Sequence, residues 1–448
     1  MTRWGRTERV RVAGATAAAF LDGEWEAAGM TARATTAFGL RPRWLALVAA
    51  EAAASYRERP ADRPRELTEV IERALQGLDD RGLLPRPPRH VPTAVFTPAM
   101  GRMRWPVPVL DTPADVAAML DLHHGELAWL ADRRGLERRA SDLRLRNYRY
   151  AWLPRAAAPP RLIEQPKRLL KETQRRLLHG ILAAIPPHDA AHGFRRGHSP
   201  RTHARRHTGR RVVLRFDLED FFASIAAGRV YGIFRCAGYP EAVAADLTGL
   251  VTNALPVAEW AAAAPRPADP TAAAAHHRLG RRLAAAHLPQ GAPTSPALAN
   301  LCAYRLDCRL AGLADAFGAT YTRYADDLVL SGGSRLHAGA ATVRDAVAAI
   351  ALVEGFRVNP RKSQLMTRAG RQRVCGVVVN AHTNVGRAEY DRLRAALHEA
   401  ALRGPVAANR AGVPDLRAHL LGRIAWVEAL NPARGAKLRH QFGRIDWR

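Results

Sequence analysis

The chain is poor in aromatic residues, 6% of 448, and has only four cysteines, Cys236, Cys302, Cys308 and Cys375. No two of them form a CxxC pair and none joins a His/Cys cluster at zinc spacing. A disulfide framework and a zinc module are therefore excluded, and a reducing cytoplasm is the expected location. The shortage of aromatics argues against recognition built on stacked bases and favours arginine grip on a phosphate backbone. Acidic residues are also scarce: 41 Asp and Glu stand against 68 Lys and Arg, a formal charge of +27. Solubility needs far less, so the imbalance points to a polyanionic partner, nucleic acid before a membrane surface. Long apolar runs are missing. The longest charge-free stretch, Leu283 to Tyr304, is broken by Pro289, Pro293 and Pro296 and suits a loop and helix, not a membrane span. Met1-Thr-Arg-Trp-Gly-Arg6 leads into no apolar leader, so secretion is not expected. What is present is 48% hydrophobic residues, enough for a sizeable core and, at this length, for roughly three domains.

Apolar spacing from Arg43 to about Gly77, interrupted at Arg59-Pro-Ala-Asp-Arg-Pro64, predicts a helix, a turn and a second helix. Residues 84–108 are proline-rich and read as a linker, after which Thr112-Pro-Ala-Asp opens a helix running to about Asp132. The pair His123-His124 with Glu126 is not a metal site, because adjacent helical residues point to different faces. Between Arg161 and Asn380 the pattern becomes mixed, with β-type runs at Val212–Leu218, Ala319–Tyr324, Leu328–Ser331 and Arg373–Val379. Ala263 to Leu279, rich in Ala and Pro, reads as a surface insertion. From Arg387 the pattern is helical, and residues 381–448 hold 12 Arg and Lys against 6 Asp and Glu. The expected organisation is α+β: a helical N-terminal extension with its linker over 1–105, a mixed region over 106–380, and a basic helical segment over 381–448.

The run Leu214-Arg-Phe-Asp-Leu-Glu-Asp-Phe-Phe222 ends a strand at Asp217, whose side chain lies opposite Phe216 and Leu218 by alternation. In Tyr321-Thr-Arg-Tyr-Ala-Asp-Asp-Leu-Val-Leu-Ser331 two β runs meet at a tight turn, which places Asp326 and Asp327 at a hairpin tip. Adjacent carboxylates repel unless a cation offsets them. Three carboxylates on neighbouring strands can hold two Mg²⁺ ions about 3.5–4 Å apart, which activates a hydroxyl and stabilises a pyrophosphate leaving group.

An Asp-Asp turn alone is ordinary surface, but its neighbours make a pattern. Tyr324-Ala-Asp-Asp327 resembles the Tyr-x-Asp-Asp box of the reverse transcriptases. Phe216-Asp-Leu-Glu-Asp-Phe-Phe222 resembles their first catalytic strand, and Leu288-Pro-Gln-Gly-Ala-Pro-Thr-Ser-Pro296 their nucleotide-pocket loop. Arg161-Leu-Ile-Glu-Gln-Pro166 resembles the fingers strand, and Gly355-Phe-Arg-Val-Asn-Pro-Arg-Lys-Ser363 the following palm motif. All five keep the family order, and the resemblance runs from about residue 112 to the end. His203-Ala-Arg-Arg-His207 and Val374-Cys-Gly376 resemble the Asn-Ala-x-x-His and Val-Thr-Gly boxes of the bacterial retron enzymes, with His203 in place of Asn and Cys375 in place of Thr. Leu421 to Asn431 resembles a retron thumb helix.

The resemblance implies a right-hand polymerase with fingers and palm over 106–380, an antiparallel palm sheet and a helical thumb from 381. It implies an RNA-directed DNA polymerase with two Mg²⁺ ions, for which Mn²⁺ can substitute, on Asp217, Asp326 and Asp327, with Leu218 in the same metal set. Arg155, Arg161, Phe222, Gln290, Gly291 and Lys362 would bind the incoming deoxynucleoside triphosphate. Phe222 would exclude a ribose 2′-OH by filling the volume under the sugar. Lys362 would give a proton to the leaving pyrophosphate. Arg195 to Arg215 holds eight Arg, three His and no acidic residue, a density that suits nucleic-acid contact. Arg195, Arg196, His203, Arg205, Arg206 and His207 are the candidates there, with Val374, Cys375 and Gly376 near the end of the palm. The implied partners are a structured noncoding RNA serving as template and primer, its DNA product and an effector protein, with no membrane and a role in antiphage defence. The alternatives are another prokaryotic reverse transcriptase (diversity-generating, abortive-infection or group II-like) and a non-catalytic RNA-binding protein on a polymerase scaffold.

Overall fold

Ala, Leu and Arg dominate the first 131 residues, and in the computed structural model they form helices Arg6–Leu21, Ala27–Phe38, Arg43–Ser55, Pro64–Asp80, Pro113–Leu120 and His124–Ala131. The structure describes residues 4–88, 90–92, 96–154, 160–263 and 269–447. The chain forms two compact units, Met1–Ile185 with Ala226–Ser295, and Pro186–Ile225 with Pro296–Arg448.

In the first unit the N-terminal helices bury a core of their own that includes Trp4, Phe20, Met30, Trp44, Leu67 and Ile71. The helix that opens at Thr112 is fixed by reciprocal capping: the Thr112 hydroxyl accepts the Asp115 N–H at 3.3 Å, and the Asp115 carboxylate accepts the Thr112 N–H at 2.8 Å. It stops at Asp121, in the left-handed region at φ 56°, so the helix expected to reach Asp132 is two. Strands β1 (Tyr148–Leu153) and β2 (Arg161–Pro166) form an antiparallel pair, from Tyr148 opposite Pro166 to Leu153 opposite Arg161. Part of the expected insertion is a capped helix, Pro270–Ala284, which buries His276 and Leu283. The units group the sequence differently from the linear division at 105 and 380. Within the first unit Asp62 pairs with Arg235 at 2.7 Å and Gly101 N–H donates to the Gly238 carbonyl at 2.7 Å.

The second unit is built on β3 (Val212–Asp217), β4 (Thr320–Tyr324), β5 (Asp327–Gly332) and β6 (Gln364–Thr367), an antiparallel sheet of order β4-β5-β3-β6. A short ladder pairs β7 (Arg373–Val374) with β8 (Val377–Val378). Val213 and Val329 from the sheet, with Val374 and Val377, share a core with Leu393, Leu397, Ile424, Val427 and Leu438. The helices Arg387–Arg403, Leu416–Leu430 and Pro432–Phe442 are thereby anchored to one face of the sheet. Among the described residues no helix is long and apolar enough to cross a membrane, and the four cysteines are free.

Candidate active site

The hairpin between β4 and β5 turns on Ala325 and Asp326, with Tyr324 paired to Asp327. Ala325 sits at φ 56°, a left-handed conformation that L side chains adopt at a cost. Gly193 lies against this turn, where a Cβ would come within 2.6 Å of the Ala325 nitrogen, so the close approach requires glycine. The β3–β5 register sets Asp217 directly opposite Asp327, and the Leu218 N–H donates to the Asp326 carbonyl at 2.9 Å. All three aspartates therefore sit at one end of the sheet.

Two of the carboxylates are held by protein cations. Lys362 Nζ donates to both oxygens of Asp217 at 3.0 Å. Arg215, two residues before Asp217 on β3, donates from Nε and Nη2 to Asp327 Oδ1 at 3.0 and 2.7 Å, and from Nη2 to Oδ2 at 2.9 Å. Burial, followed by the charges of Asp217 and Asp327, raises the pKa of Asp326. Burial also raises that of Asp327, against the opposing pull of Arg215. Cys375, at φ 45°, points its Sγ at Asp327 Oδ2 across 3.9 Å, and burial with the Asp327 charge pushes its thiol up to about 12. A leucine side chain has no oxygen and that of Leu218 is buried, so its backbone carbonyl is the one group it can offer a metal. Among the described residues no three His, Cys, Asp or Glu side chains are gathered into a ready-made metal cage. The donor set itself, three carboxylates at one sheet end with unsettled mutual repulsion, suits a hard divalent cation.

The hairpin rests on a buried network that sequence reasoning missed. Arg323 and Asp307 are both fully buried and pair at 2.6 Å. Tyr321 Oη donates to Asp307 at 2.8 Å, and Arg323 Nη1 donates to Asn300 Oδ1 at 3.0 Å and to the Ala325 carbonyl at 3.2 Å. Asn300 in turn donates to the Gly193 carbonyl at 2.9 Å. One guanidinium thus ties the turn to the helix Tyr304–Ala316, which carries Asp307. A charged residue inside an apolar strand was the available signal, since burial of an unpaired charge is prohibitive.

Three of the expected nucleic-acid contacts are overturned by burial. His203, His207 and Val374 have no exposed surface. His207 shares hydrogen bonds with Ser331 Oγ at 2.7 Å and Thr322 Oγ1 at 2.6 Å, and His203 Nδ1 meets the same Thr322 hydroxyl at 3.0 Å. Their rings continue a chain of edge contacts through His192 and His198. Burial lowers the pKa of His192 to about 4 and of His207 to about 3, and holds His203 well below 6.5. These imidazoles are neutral packing behind the hairpin, not cationic contacts. Arg196, Arg205, Arg206 and Gly376 are exposed, whereas Arg195 is half-buried and paired with Asp189 at 3.3 Å.

Phe221 is buried and stacks on Phe356 at 5.6 Å, while its neighbour Phe222 is half-buried, 6.0 Å from the ring of Phe194. The carboxylates, Lys362 and both phenylalanines belong to the second unit.

Arg161, Gln290 and Gly291 belong to the first unit, and Arg155 lies outside the described residues. Arg161 is exposed at the start of β2. The Gln290 carbonyl accepts the Glu164 N–H at 2.9 Å, and its own N–H reaches Glu164 Oε2 at 3.3 Å. Gly291, at φ 137°, approaches so closely that a Cβ would lie 2.6 Å from the Glu164 carbonyl oxygen. Glu164 is buried with His287 at 3.0 Å and accepts from Asn253 Nδ2 at 2.8 Å. Burial disfavours charge on His287, but the Glu164 carboxylate outweighs it and raises the pKa. This second buried network stiffens the loop that carries Gln290.

Residues 157–389 match the family described as reverse transcriptase (RNA-dependent DNA polymerase). The retron Mx65 reverse transcriptase of Myxococcus xanthus is 41% identical over 335 residues, which is 75% of this chain and 72% of that protein. The retron Mx162 reverse transcriptase of the same organism is 34% identical over 75% of this chain and 67% of its own length. The retron Ec86 reverse transcriptase of Escherichia coli is 34% identical over 239 residues, 53% of this chain and 64% of that protein.

Proposed function

The chain belongs to the reverse transcriptases and, within them, to the retron type, a right-hand RNA-directed DNA polymerase, and from that membership we propose that it copies one structured noncoding RNA, template and primer in a single molecule, into DNA joined to that RNA. The family works with divalent metal ions. Mg²⁺ is the ion we assign, two of them on Asp217, Asp326 and Asp327, with Mn²⁺ able to replace it. When bound, they supply activation of the priming hydroxyl and charge neutralisation at the departing pyrophosphate.

The chain's own residues do the rest. Asp217 and Asp326 present oxygens from the strand end and the turn, while Asp327 keeps its orientation through Arg215. Lys362, once it leaves Asp217, holds a proton for the leaving group. Phe222 fills the space under the sugar and so selects deoxynucleotides. Arg161, Gln290 and Gly291, with Arg155, serve the triphosphate and the base. Arg196, Arg205 and Arg206 meet RNA phosphates, and the exposed rim at Gly376 beside Cys375 meets the folded RNA. The biological setting we assign is the cytoplasm, in antiphage defence, together with an effector protein.

The observation that carries this reading is the Asp217–Asp327 pair beside the Asp326 turn, in a chain whose identity to retron enzymes covers three quarters of its length. The test is expression with the native flanking DNA, followed by RNase and debranching treatment of the extracted nucleic acid. A discrete small DNA released from an RNA branch is the expected product. Primer-dependent extension of arbitrary templates, with no such DNA, would overturn the self-primed reading and leave a general reverse transcriptase.

A further inference from the structure

Residues 190–216 and 355–388 contain no Asp or Glu. Far apart in sequence, they are joined in the fold: β3 pairs with β6, Val212 opposite Thr367. The Arg368 N–H donates to the Arg211 carbonyl at 3.0 Å, and the side-chain amide of buried Gln372 donates to the carbonyls of Arg210 and Met366, each at 3.1 Å. Arg210, Arg211, Arg368, Arg371 and Arg373 are thereby gathered at the end of the sheet opposite the carboxylates. All five are exposed, and among the described residues none forms an ion pair. Five strand steps separate this end from Asp217, about 17 Å at ~3.3 Å per residue.

Five guanidinium groups gathered at one sheet end repel one another unless a polyanion lies across them. The chemistry also says which kind. Neither 195–215 nor 357–388 contains a Phe, Tyr or Trp, so the large aromatic platforms on which a single strand's splayed bases stack are missing and the patch offers mainly cations. Cations alone read phosphate positions, which are regular in a helix and carry no sequence information.

We propose that this arginine end of the sheet is a second nucleic-acid surface that grips the phosphate backbone of a paired RNA stem without reading its sequence. The proposal rests on the RNA-copying function above and adds a contact remote from the chemistry. Such a surface lets a folded RNA be held by its stem while a different part of it reaches the metal site.

The test uses the full chain with Arg368→Ala, Arg371→Ala and Arg373→Ala combined, beside the triple Lys version. Affinities for short RNA hairpins of unrelated sequence and for an unstructured RNA of equal length are measured over a salt series. For every hairpin, the Ala variant should flatten the slope of log K against log salt by about 2 to 3, one for each phosphate left without its arginine. The Lys variant should restore it, and the slope for unstructured RNA should stay as in wild type. An unchanged hairpin slope in a wild-type-like fold overturns the proposal, as does equal flattening for unstructured RNA. Primer extension by the wild-type preparation separates the two readings: an enzyme that extends yet shows no slope change loses only the stem surface.

Discussion

Asp217 and Asp327 face each other as the last pair of the β3–β5 ladder, and each is met by a different cation, Lys362 at 3.0 Å and Arg215 at 2.7 Å. Two like charges directly opposite would otherwise weaken the ladder at this point. The same two cations stand where added metal must compete, which makes the site's charge balance measurable.

Asp217→Asn and Asp326→Asn should each reduce nucleotide addition to background while leaving RNA affinity nearly unchanged, because the carboxylates and the exposed arginines are separate sets of residues. Primer extension and RNA binding on the same purified variants check this. Substantial activity in both would remove the two-metal assignment.

Lys362→Met should lower the divalent-ion concentration needed for half-maximal activity, since Asp217 loses its competitor, and also lower the maximal rate, since a proton donor is gone. Titration with Mn²⁺ followed by paramagnetic resonance reads the binding part directly. Unaltered Mn²⁺ affinity would mean that Lys362 leaves Asp217 at no cost.

Phe222→Ala should relax the preference for deoxy- over ribonucleotides, whereas Phe221→Ala should mainly reduce stability because that ring is core. Single-nucleotide incorporation with both sugar types distinguishes them. If the ratio does not move in Phe222→Ala, the side chain is not the steric gate.

Much of this was legible beforehand, and the failures share a cause. The Ala-Asp-Asp turn and the strand ending in Asp217 are local, so spacing alone located them. The register that sets Asp217 against Asp327 is long-range, and no spacing rule supplies it. His203 and His207 look like part of a basic run because exposed Arg205 and Arg206 stand between these two buried histidines, and a count of charges does not separate the two faces. Arg215 and Arg323 were hidden in the same way: each is an arginine in a strand whose carboxylate partner is distant in sequence. The strand β6 was missed because Gln364 and Leu365 are exposed and leave no alternating pattern.

Asp307→Ala should destabilise the second unit by about 3–5 kcal/mol, the scale for leaving a buried charge without its partner. Denaturant unfolding of wild type and variant checks it. A loss below ~1 kcal/mol, the range of a surface pair, would show that Arg323 escapes to solvent when its partner is removed.

Acid and alkali should act through different histidines. His192, His203 and His207 have folded pKa values below 6.5, so the unfolded chain takes up protons first and stability falls as pH drops from 6.5 towards about 4 and then 3. His287 is shifted the other way: its pairing with Glu164 contributes fully below 6.5 and is lost as pH rises through the raised pKa. Melting temperatures against pH should show a shallower acid limb for His207→Gln and a shallower alkaline limb for His287→Gln. Parallel curves for wild type and both variants would contradict the shifts.

The order of the chain sets a timetable for synthesis. The strand ending at Asp217 leaves the ribosome 110 residues before Asp327, its partner in the ladder, and the intervening Ala226–Ser295 belongs to the other unit. At about 5–20 residues per second, roughly 6 to 22 s pass before β3 can find β5. Throughout that interval an apolar strand edge is unpaired and Arg215 lacks its partner Asp327. A nascent chain in that state is open to aggregation, because its exposed strand edge can pair with another chain.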